Sequence, residues 1–261
     1  LALALTIAIQ ALATAPAMQW SVFAHWVFNG VILHGALDTV WLTLACEALA
    51  IVSGIVVAFL LMSKNPIGRA VAHGYQWGFR SVPELAQLLF WFNLSLLFPT
   101  FSIGIPFGGP AAYSVSMNVL MTPWVAAILG LGLHEGAYLA EVFRAGVLSV
   151  DPGQREAARS LGVSRRQIAL QIILPQAMRS IGPNAGSRLI GTLKLTSLAS
   201  IIAIPELLYR VENVYSRTFE TIPLLLVATV WYMLLVGVLR LAQAALERRY
   251  GQRAEAVAAS A

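Results

Sequence analysis

Gln154-Arg155-Glu156-Ala157-Ala158-Arg159-Ser160-Leu161-Gly162-Val163-Ser164-Arg165-Arg166, running on to Ile172-Ile173-Leu174-Pro175, is a charged, helix-forming segment in an otherwise apolar chain. It carries start and stop signals. Asp151 is placed to cap a helix, Pro152 takes its first position, and Gln154 stands at capping-box distance. Ala157, Ala158 and Leu161 predict a short apolar docking face, with Arg155, Glu156 and Arg159 on other sides. Gly162 suits the stop, where positive φ is favoured. Ser164 and Gln167 repeat the cap spacing and start a second helix. The expectation is a helix of about two turns set between membrane helices. A charged loop that satisfies only topology is the plainer alternative, but such loops rarely carry two capping-box spacings.

Composition explains why the surroundings are membrane. The chain is 58% hydrophobic and 11% charged, with mean hydropathy +0.75. Soluble domains carry about 25% charged residues. Apolar runs at 36–62, 82–99, 123–148, 181–204 and 223–245 predict five core spans. Residues 1–17 predict a further membrane helix, or a signal-like segment, since Ala13-Thr14-Ala15 resembles a cleavage site. Trp20, Phe23, Trp26, Val27 and Val31 stand at helical spacing, as an interfacial helix would place them. The expected layout is therefore 1–19, N-terminal membrane helix or signal-like segment; 20–35, interfacial segment; 36–246, membrane domain holding the segment 150–175; and 247–261, a charged tail.

Of the 17 Lys and Arg, 3 lie in 64–80, 6 in 144–179 and 4 in 240–261. The positive-inside rule puts these stretches in the cytoplasm. The charge-free Pro/Gly stretch 99–123 and the loop 205–222 then face outward. The single cysteine, Cys46, sits in an apolar run and reads as a buried side chain; no disulfide framework is expected. His25, His34, His73 and His134 are scattered and suggest no metal site. No Gly-rich phosphate loop and no nucleophile–base pattern is visible, so catalysis and nucleotide binding are not expected of this chain, nor a nucleic-acid partner.

Glu156-Ala157-Ala158, Gly162 and Ile172-x-Leu174-Pro175 together resemble, with matching spacing, the EAA motif of ABC importer permeases. Gly35-Ala36-Leu37-Asp38-Thr39, Arg80-Ser81-Val82-Pro83, Ala137–Gly146, Leu174–Arg179 and Leu193–Leu198 are similar to the polar-amino-acid branch of that family. The resemblance implies an all-α polytopic fold, the five-helix type I core, with a probable extra N-terminal membrane helix. It implies a permease subunit in the bacterial inner membrane, importing polar amino acids delivered by an extracytoplasmic binding protein. It also implies a dimer of ATPase subunits, which bind ATP and Mg, and a second permease subunit of the same or a related chain. The segment becomes the helix coupling to the ATPase, through Gln154, Glu156, Ala157, Ala158, Leu161 and Gly162. Other small solutes, such as an opine or amino-acid derivative, stay open. An ion-coupled secondary transporter is the rival from another class; it would place ionisable residues near mid-membrane in inverted repeats, whereas no repeat is visible and the acids read as clustered at span ends.

Several residues stand out within the spans. Glu141 and Arg144, at i and i+3, predict a structural ion pair. Lys194 is costly in a membrane, and with Thr196 and Ser197 it suggests a pathway or gate. Arg188 makes a weaker case. Glu84 and Gln87 share a helical face; an acid there would favour a cationic solute, and the plainer reading is a carboxylate in the first turn of a helix.

Overall fold

The computed structural model describes residues 10, 14–104 and 111–258. Most of the stretch expected to form an N-terminal helix or signal lies outside the described residues. The rest is almost all helix. Helix α1, Trp20–Val27, is the interfacial segment. It packs on the last helix through Phe23, Trp26 and Val27, and the Trp231 indole donates to the Val27 carbonyl at 2.7 Å. Helix α2, Gly30–Met62, starts earlier than expected, because the Asn29 side chain accepts from the Val31 N–H at 2.9 Å and caps it there.

The region after α2 corrects the sequence reading. The charge count puts residues 64–80 in the cytoplasm, and 82–99 reads as a span. Instead helix α3, Pro66–Ser81, and helix α4, Glu84–Phe92, lie end to end along one side of α7, Pro123–Leu148. The Tyr75 hydroxyl donates to the Leu133 carbonyl at 2.5 Å, and the Gln76 amide to the Ala137 carbonyl at 3.3 Å. Further on, Leu88 and Trp91 flank Gly130. Rising numbers meet falling ones, so α3 and α4 form one broken rod antiparallel to α7. The break falls where Pro83 lacks an N–H and holds Val82 extended, at φ −99° and ψ 132°. The Tyr75 hydroxyl and the Gln76 amide of α3 are thus satisfied by α7 carbonyls, while the reading of 64–80 rested on Lys64, Arg69 and Arg80.

Helix α5, Leu94–Leu97, leads into strands β1, Thr100–Gly104, and β2, Ala111–Ser116. They pair antiparallel, Thr100 opposite Ser116, where an irregular outward loop was expected. Helix α6, Met117–Leu120, precedes α7. Then come α8, Pro152–Ser160; α9, Arg165–Gln167; a π turn, Ile168–Ile173; α10, Leu174–Leu195; and a 3-10 turn, Thr196–Ile202. Helix α11, Leu207–Thr218, replaces the expected polar loop, and α12, Thr221–Ala258, carries residues 247–258 on as helix.

Among the described residues three helices, α2, α7 and α12, are long and apolar enough to cross a membrane, and residues 165–202 with α11 form a bent pair at 45°. Helix α7 is central: 61% of its most apolar stretch is buried, against 33% for α2 and 22% for α12. Glycines let α2 close on α7. A Cβ at Gly132 would stand 2.9 Å from the Cys46 carbonyl oxygen, and one at Gly136 would collide with Ser53 Oγ. The exposed Leu44, Val52, Phe59, Met233 and Val238 form the outer surface of the bundle, as lipid contact requires.

Candidate functional site

Two places in the bundle concentrate function-bearing chemistry. One is α8, at the end of α7 that the charge distribution puts in the cytoplasm. Asp151 caps it by accepting from the Gly153 N–H at 2.7 Å. The box expected between Asp151 and Gln154 is not seen: the Asp151 carboxylate bonds the Gly153 N–H, and the Gln154 N–H bonds the Asp151 backbone carbonyl at 3.1 Å. The second box is complete, with Ser164 and Gln167 bonded reciprocally. Gly162 has φ +74°; its N–H reaches the Arg159 carbonyl at 2.9 Å, and the Val163 N–H reaches Ala158 at 3.1 Å. This pair of bonds is a Schellman stop, and it needs the left-handed residue that glycine supplies.

The face of α8 differs from the expected one. Ala158 alone is buried, against Val163, Ile168, Ile173 and Ala177. Ala157 is exposed and Leu161 is 83% exposed. Gln154 and Glu156 are exposed as well. The apolar residues expected on one face therefore divide: Ala158 holds α8 to the bundle, and Ala157 and Leu161 are presented outward.

The second place is a polar layer at the midpoint of α7. Glu135 is fully buried, and the Arg188 guanidinium on α10 grips it at 2.6 and 2.9 Å. Glu47, on α2, accepts from the Thr192 hydroxyl at 3.0 Å. His134 lies 3.2 Å from the Glu84 carboxylate and 3.1 Å from the Gln87 amide, so Glu84 and Gln87 do share a partner. Two guanidinium groups stand over the Tyr138 ring, Arg188 at 4.2 Å and Arg80 at 4.9 Å from its centre. Two expectations are corrected here. The acids do not cluster at span ends, since Glu47 and Glu135 sit at the midpoints of α2 and α7. The histidines are not all scattered, since His134 joins Glu84 and Gln87 across two elements. Applying the cost of intramembrane charge to Glu135, as to Arg188, predicts that each has a partner; which residue supplies it, 53 positions away across the bundle, has no signal in sequence spacing.

Lys194, Thr196 and Ser197 do not form one lining. Lys194 is exposed; Thr196 is buried and donates to the Leu193 carbonyl at 2.7 Å; Ser197 donates to the Lys194 carbonyl at 2.8 Å. Hydroxyls at the C-terminal end of α10 fold back on their own turn. Glu141 and Arg144 meet as their spacing predicts, at 2.6 and 3.1 Å.

A helical bundle with a capped helix displayed at one end and a charged layer at mid-depth belongs to the class of multi-pass membrane transport subunits. Residues 50–252 match the family described as binding-protein-dependent transport system inner membrane component, and the chain belongs to that family. It is 38% identical over 237 residues to the arginine transport system permease protein ArgU of Corynebacterium glutamicum, covering 90% of this chain and 72% of that one. It is 31% identical over 224 residues to the histidine/lysine/arginine/ornithine transport system permease protein HisQ of Escherichia coli, covering 85% and 94%. Among solved structures it is similar to an amino acid ABC transporter determined with histidines, at TM-score 0.69 and 29% identity, covering 84% of this chain and 94% of that one. The methionine transporter MetNI shares the fold, at TM-score 0.67 and 17% identity, covering 91% and 99%. The chain is thus an ABC importer permease.

Proposed function

We propose that this permease imports polar amino acids across a bacterial inner membrane, working with an extracytoplasmic binding protein, a second permease subunit and two ATPase subunits. ATP and Mg belong to the ATPase, and this chain does no chemistry of its own. The observation that carries the reading is α8: a capped two-turn helix whose Leu161 is displayed while Ala158 anchors it. Gln154, Glu156, Ala157, Leu161 and Gly162 make the face offered to the ATPase. ATP-driven closure of the ATPase pair moves α8. Ala158, Val163 and Ile168 pack on Ala177 and Ile181 of α10, so the displacement passes to the helix that carries Arg188 and Thr192 into the polar layer. In that layer the accessible groups are Glu84, a carboxylate for an ammonium group, and Arg80 and Arg188, guanidinium groups for a carboxylate, as a zwitterion requires, while Glu135 and Glu47 stay buried. Glu84, half-exposed beside His134, biases the path toward cationic side chains. Lys194 is the candidate gate residue at the other end of α10.

The test is ATP-dependent uptake of arginine and glutamine in proteoliposomes holding the full complex. Leu161→Asp changes an exposed side chain, so the permease is expected to insert normally, lose ATPase co-purification and lose uptake of both amino acids at least about tenfold. Glu84→Gln is expected to lower arginine uptake relative to glutamine. Full ATP-driven uptake by Leu161→Asp, or uptake that ignores ATP and follows an ion gradient, would overturn the reading.

A further inference from the structure

A groove of about 510 Å³ opens beside α8, between α2, α7 and α10. Its wall is apolar, with Phe59, Met62, Val147 and Leu170 among the lining residues. Phe59 is 68% and Leu170 51% exposed, so the wall opens sideways out of the bundle. Three arginines, Arg155, Arg159 and Arg165, line the same groove, and no carboxylate does. Among the described residues none of the three is in an ion pair. Met62 ends α2, and the arginines lie on α8 and α9, past the end of α7. The groove therefore runs from the apolar zone to the headgroup level on the cytoplasmic side.

We propose that it holds one anionic phospholipid. The phosphate sits among the guanidinium groups, which bind phosphate through paired N–H donors, and an acyl chain follows the apolar wall. A zwitterionic lipid fits the wall equally well but brings its own cation to the arginines. A water-soluble solute does not fit an apolar wall open to the bilayer. Ala157 and Leu161, given above to the ATPase, do not line the groove, so lipid and ATPase occupy different sides of α8. The bound lipid ties α8 and α9 to the end of α2 and stiffens the path along which α8 acts. The inference rests on the cytoplasmic placement of α8, not on which solute is carried.

The experiment is native mass spectrometry of the purified permease–ATPase complex, titrated with phosphatidylglycerol or phosphatidylcholine. The parent is expected to retain one phosphatidylglycerol per permease chain, with a preference over phosphatidylcholine on the order of tenfold or more. The triple variant Arg155→Gln, Arg159→Gln, Arg165→Gln is expected to lose the preference. Ala169→Trp, which fills the groove from an exposed position, is expected to lose both lipids. Equal retention of the two lipids by the parent would overturn the proposal. So would unchanged phosphatidylglycerol retention in the triple variant, with or without loss of the ATPase. A photoreactive residue at position 170 that cross-links to protein rather than lipid would also overturn it. Lipid retention is read without ATP or amino acid, so it succeeds or fails independently of the uptake test.

Discussion

Glu135 is fully buried at the middle of α7, and Arg188 makes that tolerable. A carboxylate removed from water loses far more solvation than one ion pair returns unless its oxygens are fully bonded, and here the guanidinium supplies bonds to both. Arg188→Ala leaves the acid without its partner and is expected to cost about 3 kcal/mol of stability. Thermal unfolding in detergent measures this. Glu135→Gln combined with Arg188→Gln is expected to recover more than half of the loss, because both charges then leave together. A double variant as unstable as the single one would show that packing of the long side chains, not charge, is what matters.

Helix α7 depends on absent side chains as much as on present ones. Gly132 faces the α2 backbone, with the Cys46 carbonyl oxygen 2.9 Å from where a Cβ would be. Backbone cannot move aside as a flexible side-chain tip can. Gly132→Val therefore forces α2 off α7 and is expected to destabilise the bundle by about 2 kcal/mol. Gly74, with nothing within 4 Å of its Cβ position, is the matched control, and Gly74→Ala is expected to leave the melting temperature close to the parent's. Unfolding of both variants side by side checks the pair. At α8 a different element rule operates: the Schellman stop at Gly162 sets where the chain turns back, so that Ala158 faces the bundle and Leu161 faces away.

The whole molecule has a direction. Helices α2 and α7 run parallel, α3–α4 and α10 run against them, and the arginine-rich α8–α9 segment joins the ends of α7 and α10. The positive-inside rule predicts α8 in the cytoplasm and α11 outside. Cys46, the one cysteine, is fully buried and makes a silent background for labelling. A membrane-impermeant maleimide added to intact cells, with any outer membrane made permeable, is expected to label Thr218→Cys and to spare Ser160→Cys, which reacts only after lysis. Labelling in the opposite pattern would invert the topology and remove both the ATPase face and the lipid groove from the cytoplasm.

The membrane class and α8 itself were legible in the sequence by itself, because each is written locally. Hydropathy needs only neighbouring residues, and Asp151, Gly162, Ser164 and Gln167 stop and start helices through bonds to residues a few positions away. The Glu141–Arg144 pair was legible for the same reason. The path of α3 was not. Lys64, Arg69 and Arg80 mark 64–80 as cytoplasmic by count alone, and the carbonyls that hold Tyr75 and Gln76 against the bundle belong to α7, 58 and 61 residues later. The polar layer was not legible either: Glu135 meets Arg188 across 53 residues, and Glu47 meets Thr192 across 145. Only the packed bundle brings those groups together, since in a low-dielectric interior each charge must find a partner wherever the chain has placed one.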